Sequence, residues 1–282
     1  GKETRVAGAS EEEIYERLGF RYIPPELRED RGELDAARAD ALPRLVERQA
    51  LRGDFHTHST WSDGRAGIEE MARAARAAGL EWLVLSDHSP SLTVASGLTV
   101  RRLRDKQRAI EALNDRLDGI RVLCGAEVDI LKDGSLDYPD EVLAGVDVVV
   151  ASVHSAFAQP ESQMTARILK AIGSPHVDIL GHPTGRLIGK REPYAVDLDA
   201  VIRAAARTGT VLEINGHPER LDLDDTRCQA ARALGVRFAI SSDAHATGQF
   251  VHLDYGIGVA RRAWLETGDI LNTKPWKEIE AC

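Results

Sequence analysis

Seven short apolar runs, each rich in β-forming residues, constrain the fold of this 282-residue chain more than any other feature. They recur about every thirty residues, the length of one βα repeat, and amphipathic helical patterns such as IEEMARAARAAG lie between them. Strands that alternate with helices form βα units and a parallel sheet. The pattern predicts an α/β fold, and the length suits one large barrel or two smaller domains. The runs are DFHTHS, WLVLSDHS, RVLCGAEVDI, VDVVVASVHS, VDILGHPT, TVLEING and RFAISSDAH.

Each run ends in a potential metal ligand or beside one. In a parallel barrel the carboxyl ends of the strands meet on one rim, where such barrels build their active sites. Side chains that are far apart in sequence would therefore converge. In chain order the candidates are His56 and His58, then His88, Glu127, His154, His182, Glu213 or Asn215, and Asp243 with His245.

The H-x-H pattern in DFHTHS offers two imidazoles at one place. Alternate residues of a strand share a face, so His56 and His58 on a strand would form a chelate. Alone the pattern is weak, because two unrelated surface histidines in a polar loop would look the same. The other strand ends favour metal binding, since clustered carboxylates and imidazoles without metal would suffer desolvation and repulsion.

The donor set is too large for one tetrahedral ion, which takes four ligands. Five or six histidines with Glu127, Asp243 and the nearby loop residue Asp63 imply two or three ions. Mixed imidazole and carboxylate ligands favour Zn, Mn or Fe over Ca or Mg. Glu127 is the candidate for a bridging carboxylate. Paired ions roughly 3.5 to 4 Å apart can clamp a phosphoryl group and activate a bound water.

Two arginines follow strand ends on the same rim and are candidates for phosphate binding. Arg186 and Arg220 could pair bidentately with phosphate oxygens, whereas the alternative is a surface salt bridge. Salt bridging is the better interpretation for Lys190 and Arg191. The basic run 101–108 has a helical pattern and is read as a solvated face.

Other polar residues receive supporting roles. Asp87, Asp129 and Asn215 are candidates for orienting the ligands. His176 and His252 are interpreted as structural or exposed, and His217 is left open because it follows strand six on the active rim.

Composition excludes several classes of protein. The net charge of −9 argues against a protein that grips nucleic acid by its overall field. The sequence has no apolar run long enough to cross a membrane and no signal-like h-region, so a cytoplasmic location is expected. The three cysteines, Cys124, Cys228 and Cys282, fit neither a disulfide framework nor a thiolate zinc site.

The first fifty residues differ from the rest. Ser10 and Glu13 form a capping-box pattern, Gly19 ends that helix, and a second helical stretch from about Leu34 breaks near Pro43. The segment is short and polar, so it is expected to be an appendage or linker without its own core.

The strand-end motifs are HTHSTWSDG, LSDHS, GAEVDI, SVHS, GHPTGRLIG, EINGHPERLDL and SDAH. In this order they resemble the polymerase and histidinol phosphatase (PHP) domain, specifically the version at the C-terminus of bacterial family X DNA polymerases. The resemblance covers nearly the whole chain. It implies a distorted (β/α)7 TIM-like barrel with a short helical N-terminal extension. Residues 1–50 would be a helical linker or remnant of the preceding polymerase region, and residues 51–282 the PHP phosphoesterase domain.

The same resemblance implies a trinuclear centre of divalent ions, Mn or Zn with Fe possible. Asp63 stands where many small phosphatases of the superfamily have histidine, and aspartate is usual in the polymerase-associated branch. The catalytic candidates are Glu127, His154, Asp243, Arg186 and Arg220. Carried over residue by residue, the ligands are His56, His58, Asp63, His88, Glu127, His154, His182, Asp243 and His245.

The implied activity is Mn-dependent 3′–5′ exonuclease or related processing of DNA 3′ ends, single-stranded or gapped, with a metal-activated hydroxide as nucleophile. Polymerase activity is not expected, since the chain leaves no room for the nucleotidyltransferase region. Two alternatives stay open: a small-molecule phosphomonoesterase of the histidinol-phosphatase type, and a non-catalytic module stabilised by metal. An amidohydrolase is disfavoured, because that barrel usually places a bridging lysine at a strand end and strand four ends in His154. The sequence does not predict the oligomeric state.

Overall fold

The computed structural model describes residues 6 to 279, and seven parallel strands form its centre. Each strand pairs in parallel with the next strand in sequence, so the spatial order is the chain order. This order confirms the predicted (β/α)7 barrel. The strands are β1 (Gly53–Asp54), β2 (Trp82–Leu85), β3 (Arg121–Asp129), β4 (Val148–Ser152), β5 (Ile179–Leu180), β6 (Val211–Asn215) and β7 (Phe238–Ser241).

Helices surround the barrel and cover its outer face. Helix α7 shows why they form: Asp197 caps it by accepting from Ala200 N, Val201 and Ile202 lie on its buried face, and Gly209 ends it in the left-handed conformation. The helices are α1 (Glu11–Arg17), α2 (Glu33–Arg38), α3 (Ile68–Ala77), α4 (Val100–Asn114), α5 (Asp140–Leu143), α6 (Glu161–Ile172), α7 (Leu198–Thr208), α8 (Asp225–Arg232), α9 (His252–Arg262) and α10 (Trp276–Ile279).

The inside of the barrel changes from apolar to polar along the strands. Leu123 and Glu127 lie four residues apart on β3, so they share the inner face. Leu123 belongs to the apolar floor, while Glu127 is equally buried one layer higher. The floor supports the polar residues above it. Its members are Phe55, Trp82, Val84, Leu123, Val148, Val150, Ile179, Val211, Ala239 and Leu271.

The barrel closes where β1 meets β7, a junction called the seam below. Across it His58 N donates to Ala244 O at 2.8 Å, in a single parallel bridge of Thr57 with Ala244. Asp54 accepts from Ser242 N at 3.2 Å. The regular part of β1 ends at Asp54, so the H-x-H histidines follow the strand rather than lying on it as predicted.

Asn272 completes the lower part of the seam. Its side-chain amide donates to Gly53 O and Ile240 O, both at 2.8 Å, and accepts from Ile240 N. The amide thus supplies hydrogen bonds that a longer β1 would otherwise make.

The N-terminal segment packs against the barrel. Ser10 accepts from Glu13 N, which confirms the predicted helix start. Trp264, beyond α9, completes an apolar cluster with this segment, so the segment buries more than its polar composition predicted. The cluster comprises Ile23, Leu27 and Ala37 at its centre, with Tyr15, Phe20, Leu42, Leu45 and Trp264 around them.

Ion pairs hold the same segment to the outer helices. Glu26 lies 2.6 Å from Arg261, and Arg31 lies 2.7 Å from Asp225. These pairs are partly buried, so solvent screens them less than fully exposed ones.

Cys124 and Cys228 are buried free thiols, and Cys282 lies outside the described residues. No helix among residues 6–279 has the length and apolar character needed to span a membrane.

Gly216 tests the packing between the barrel rim and α9. A Cβ at this position would lie 2.2 Å from His252 O. Overpacking of this kind costs about 1–3 kcal/mol, so Gly216→Ala is expected to lower the free energy of unfolding by that amount in urea titrations followed by circular dichroism. The matched control is Gly258→Ala in α9, where a Cβ meets nothing within 4 Å and is expected to stabilise the helix slightly. Equal stability of the two variants would contradict this packing.

Candidate metal centre

All nine side chains that the resemblance nominated as ligands lie together at the carboxyl ends of the strands. They form four overlapping groups, and within each group the ligand atoms lie within 4.8 Å of one another. Since the groups share members, they make one continuous set, called the ligand cluster below. The groups are His58, Asp63, His88 and His245; His56, Glu127 and His182; His56, His58 and Asp243; and His88, Glu127 and His154.

Glu127 lies at the middle of the ligand cluster, and its two oxygens face different histidines. Oε1 lies 2.8 Å from His182 Nε2 and 3.1 Å from His154 Nε2. Oε2 lies 3.0 Å from His88 Nδ1 and 3.1 Å from His56 Nε2. A carboxylate placed in this way can serve two ions at once, which is the geometry of a bridging ligand.

Carboxylates outside the cluster orient two of its imidazoles. His56 Nδ1 lies 2.7 Å from Glu213 Oε1, and His154 Nδ1 lies 2.7 Å from Asp129 Oδ1. Metal-binding histidines commonly donate their second ring nitrogen to a carboxylate, which fixes the ring and its tautomer. In both residues this leaves Nε2 facing Glu127. Asp129 thus stands where the sequence suggested an orienting residue.

Unpartnered nitrogens show that the cluster fits metal ions. Within residues 6–279, His56 Nε2, His58 Nε2 and His88 Nδ1 are buried and make no hydrogen bond. Leaving a buried polar atom unsatisfied costs about 1–3 kcal/mol. Imidazole and carboxylate oxygen donors that converge in this way suit Zn, Mn or Fe.

The charge states of two carboxylates and one histidine in the cluster match what metal ligands need. Burial alone would raise the pKa of Glu127, but the surrounding imidazoles, His56 first among them, hold it well below its ordinary value. The pKa of Asp243 is likewise lowered against burial, again chiefly by His56. Burial lowers the pKa of His58 to about 4, and the neighbouring His245 adds to the effect. The two carboxylates are therefore ionised at neutral pH and His58 is neutral.

A cleft of about 240 Å³ opens onto the ligand cluster, and Arg220 lines it. Arg220 Nε donates to Asp243 Oδ2 at 3.1 Å, while its Nη1 is buried without a hydrogen-bond partner in the described part of the chain. Arg186 does not line the cleft. Its guanidinium donates to the carbonyls of Arg220 and Leu221, so it supports the loop that carries Arg220.

Lys106 corrects the sequence reading of the basic run 101–108. Its side chain is fully buried, and Nζ lies 3.0 Å from Asp87 Oδ2. Lys106 falls on the buried stripe of α4 with Leu103 and Ile110. The prediction of a solvated face was wrong at this position. The helical spacing places Lys106 on the buried face, but its charge favoured an exposed position in the prediction.

The remaining polar residues surround the cluster. Asn215 Nδ2 donates to Asp243 Oδ2 at 3.1 Å. His252 is buried, with Nδ1 3.1 Å from Ser242 O, and the His217 ring lies 4.9 Å from it. His176 is half-buried before β5, at the opposite end of the barrel.

Lys190 and Arg191 lie beside the loop that leads to the rim. Lys190 forms the predicted surface ion pair with Glu219, at 2.5 Å, and the Arg191 guanidinium lies over the Phe157 ring. Neither residue lines the cleft.

Two family models match the chain. One, described as the PHP domain, matches residues 54–217, and the other, described as the DNA polymerase beta thumb, matches residues 1–29. The chain therefore belongs to the PHP domain family. The matched region contains seven of the nine ligands, and the remaining two follow β7.

Similar proteins include both a polymerase and phosphatases. The chain is 44% identical over 272 residues to the DNA polymerase/3′-5′ exonuclease PolX of Bacillus subtilis, a match that covers 96% of this chain and 47% of that protein. The chain thus spans about half the length of this relative. It is 31% identical over 232 residues to a probable phosphatase of Thermoanaerobacter sp. (strain X514), covering 78% of this chain and 89% of the relative.

Solved structures share the fold. A histidinol phosphate phosphatase from Lactococcus lactis superposes with a TM-score of 0.57 at 19% identity, covering 76% of this chain and 94% of that one. A putative histidinol phosphatase from Listeria monocytogenes gives a TM-score of 0.54 at 16% identity, covering 70% and 96%. With its relatives, the chain falls in the class of PHP-domain metal-dependent phosphoesterases.

Removal of Glu127 tests the metal centre directly. Because both of its oxygens serve the ligand cluster, Glu127→Ala is expected to lower the number of divalent ions retained per chain after dialysis, measured by elemental analysis. The wild type should also melt at a lower temperature after chelation, and this difference should shrink in the variant. Glu141→Ala, which removes an exposed carboxylate from α5, is the control. Equal metal content in the two variants would argue against Glu127 as a ligand.

Proposed function

We propose that this chain hydrolyses phosphodiester bonds at DNA 3′ ends, as a 3′–5′ exonuclease or related end-processing enzyme. The observation that carries the proposal is the complete ligand cluster at the floor of a cleft lined by Arg220. In this proposal residues 51–282 are the phosphoesterase domain. Residues 1–50 are a helical linker or a remnant of a preceding polymerase region.

The choice of DNA as substrate rests on two similarities. The 44% identical relative carries 3′-5′ exonuclease in its name, and residues 1–29 match a thumb model of a DNA polymerase. Because the net charge is −9, DNA binding would depend on local contacts at the cleft and not on the overall electrostatic field of the protein.

The proposal assigns three divalent ions, Mn or Zn, to the ligand cluster. A single tetrahedral ion takes four ligands, and nine ligands with a central carboxylate suit three ions. When bound, such ions supply a nucleophilic water near neutral pH and positive charge for phosphoryl oxygens.

The chain's own residues hold and orient the substrate. Glu127, His154 and Asp243 line the cleft, where they would hold the ions that face the reacting phosphate. Arg220 Nη1 has a free N–H group that can bind a phosphate oxygen, while Nε stays on Asp243. Arg186 acts on the substrate only through the loop that it supports.

A small phosphomonoester is the second candidate substrate. The 31% identical probable phosphatase matches over 89% of its own length, and the cleft of about 240 Å³ is small. Such a substrate would bind its phosphate at the same ions and the same Arg220.

The two candidates are separated by assaying a 5′-labelled single-stranded oligonucleotide beside histidinol phosphate, each with Mn and with Zn. We expect progressive shortening of the oligonucleotide from its 3′ end with Mn. The rate of cleavage should fall by at least about 100-fold in Glu127→Ala. Glu141→Ala should cleave at the wild-type rate.

Each other outcome identifies an alternative. Faster turnover of histidinol phosphate than of any oligonucleotide would favour the phosphomonoesterase. Metal retained without turnover of either substrate would favour a non-catalytic module. Shortening that is equal in wild type and Glu127→Ala would point to a contaminating nuclease and refute the proposal.

Arg220 gives a more specific prediction about substrate binding. Replacing a charged hydrogen-bond donor costs about 1.5–3 kcal/mol, so Arg220→Met should lower kcat/KM for the oligonucleotide by roughly 10- to 150-fold. Arg203→Met, on the exposed face of α7, is the control. Metal content must be measured in both, because Arg220 also contacts Asp243. Unchanged kcat/KM at unchanged metal content would remove Arg220 from the substrate site.

A further inference from the structure

Lys106 joins two barrel strands just below the ligand cluster. Its ammonium group is fully buried and donates to Leu85 O at 2.8 Å and to Gly125 O at 2.9 Å. Leu85 ends β2, three residues before the ligand His88, and Gly125 lies on β3, two residues before Glu127. One side chain from outside the barrel thus fixes the spacing of two strands where they deliver their ligands.

The third partner of Lys106 is Asp87, which is also fully buried. Its carboxylate accepts from Ser59 N at 2.8 Å and from Ser62 Oγ at 2.7 Å. It accepts further from Ser62 N and Ser59 Oγ. Asp87 therefore gathers the turn that follows the H-x-H histidines.

That turn carries the most exposed ligand of the cluster. Asp63 follows Ser62, whose hydroxyl lies 3.2 Å from Asp63 Oδ1. The Asp63 side chain is 34% exposed, whereas His58 in the same metal-binding group is fully buried. Asp63 thus depends on its turn, more than on packing, for its position.

A buried ion pair of this kind is costly to desolvate, and it stabilises a fold only when its remaining hydrogen bonds are well made. Here every one of these bonds ends on a segment that carries a ligand or leads directly to one: β2, which precedes His88, then β3, and the turn 59–63. The hydrogen-bond partners of Lys106 and Asp87 therefore indicate that the ion pair supports the metal site, in addition to joining α4 to the barrel.

We propose that Lys106, through Asp87 and Ser62, positions Asp63, and that it thereby sets the affinity of the group His58, Asp63, His88 and His245 for its ion. The inference rests on the proposed metal centre. Lys106 touches no substrate, so it is a positioning residue. The group of His56, Glu127 and His182 has no ligand on the turn and depends on it less.

The test is a calorimetric titration of metal-free protein with Mn²⁺. Elemental analysis after dialysis then gives the number of ions retained per chain. Residues that orient ligands typically change metal affinity by about 10- to 100-fold. Lys106→Met is expected to weaken the site that contains Asp63 by that factor, and to weaken the group of His56, Glu127 and His182 by less. Arg104→Met removes the same charge from an exposed position of α4 and should bind as the wild type does.

Equal affinity and equal ion number in Lys106→Met and Arg104→Met would overturn the inference. A parallel weakening of every site would also overturn it, because a general loss of stability acts on all the ions. A wild-type chain that takes up no Mn²⁺ would instead refute the metal centre itself, so the two failures are distinguishable.

Ser62 keeps the test decisive if Lys106→Met does not fold. Ser62→Ala leaves the buried ion pair intact and removes the hydroxyl that donates to Asp87 and so holds the turn that carries Asp63. It should weaken the same single site, and Ser62→Thr, which keeps a hydroxyl, should restore it. Wild-type binding by Ser62→Ala would show that Asp63 does not depend on this connection.

Discussion

The rest of the site depends on the contacts between the buried carboxylate of Glu127 and the imidazoles around it. An isolated carboxylate on the inner face of a barrel would suffer a large desolvation penalty. Here four imidazoles lie within 3.1 Å of its two oxygens, so its ionised form is favoured despite full burial. The arrangement is possible because strand ends that are distant in sequence meet on one rim.

The residues around the ligand cluster form a second layer of constraint. Glu213 and Asp129 fix the rings of His56 and His154, and Lys106 fixes the strands beneath them. The lower barrel is apolar, and six of the candidate ligands line the cleft above it. A rigid support of this kind holds ligand atoms where an ion can use them without reorganisation.

Sequence reasoning predicted much of this arrangement and missed parts of it for physical reasons. The strand–helix alternation was visible in the periodicity, and the shared rim of a barrel predicted that the candidate ligands at the strand ends would converge. The contact partners of Arg186 and Arg220 were not visible in the sequence. Both arginines follow strand ends, and only the folded structure shows that one donates to backbone carbonyls and the other to Asp243. Lys106 was missed because a charge at a buried helical position looks like any other charge until its partner, Asp87 after β2, is known.

The seam between β1 and β7 runs through the ligand cluster. His56 and His58 lie on its β1 side, Asp243 and His245 on its β7 side, and Thr57 makes the single bridge between them. An ion held by His58 and Asp243 would join both edges of the sheet, so its release would be coupled to local opening of the barrel wall. Amide hydrogen exchange along the seam would then report on metal occupancy, far more than exchange in the continuous ladder of β3 and β4.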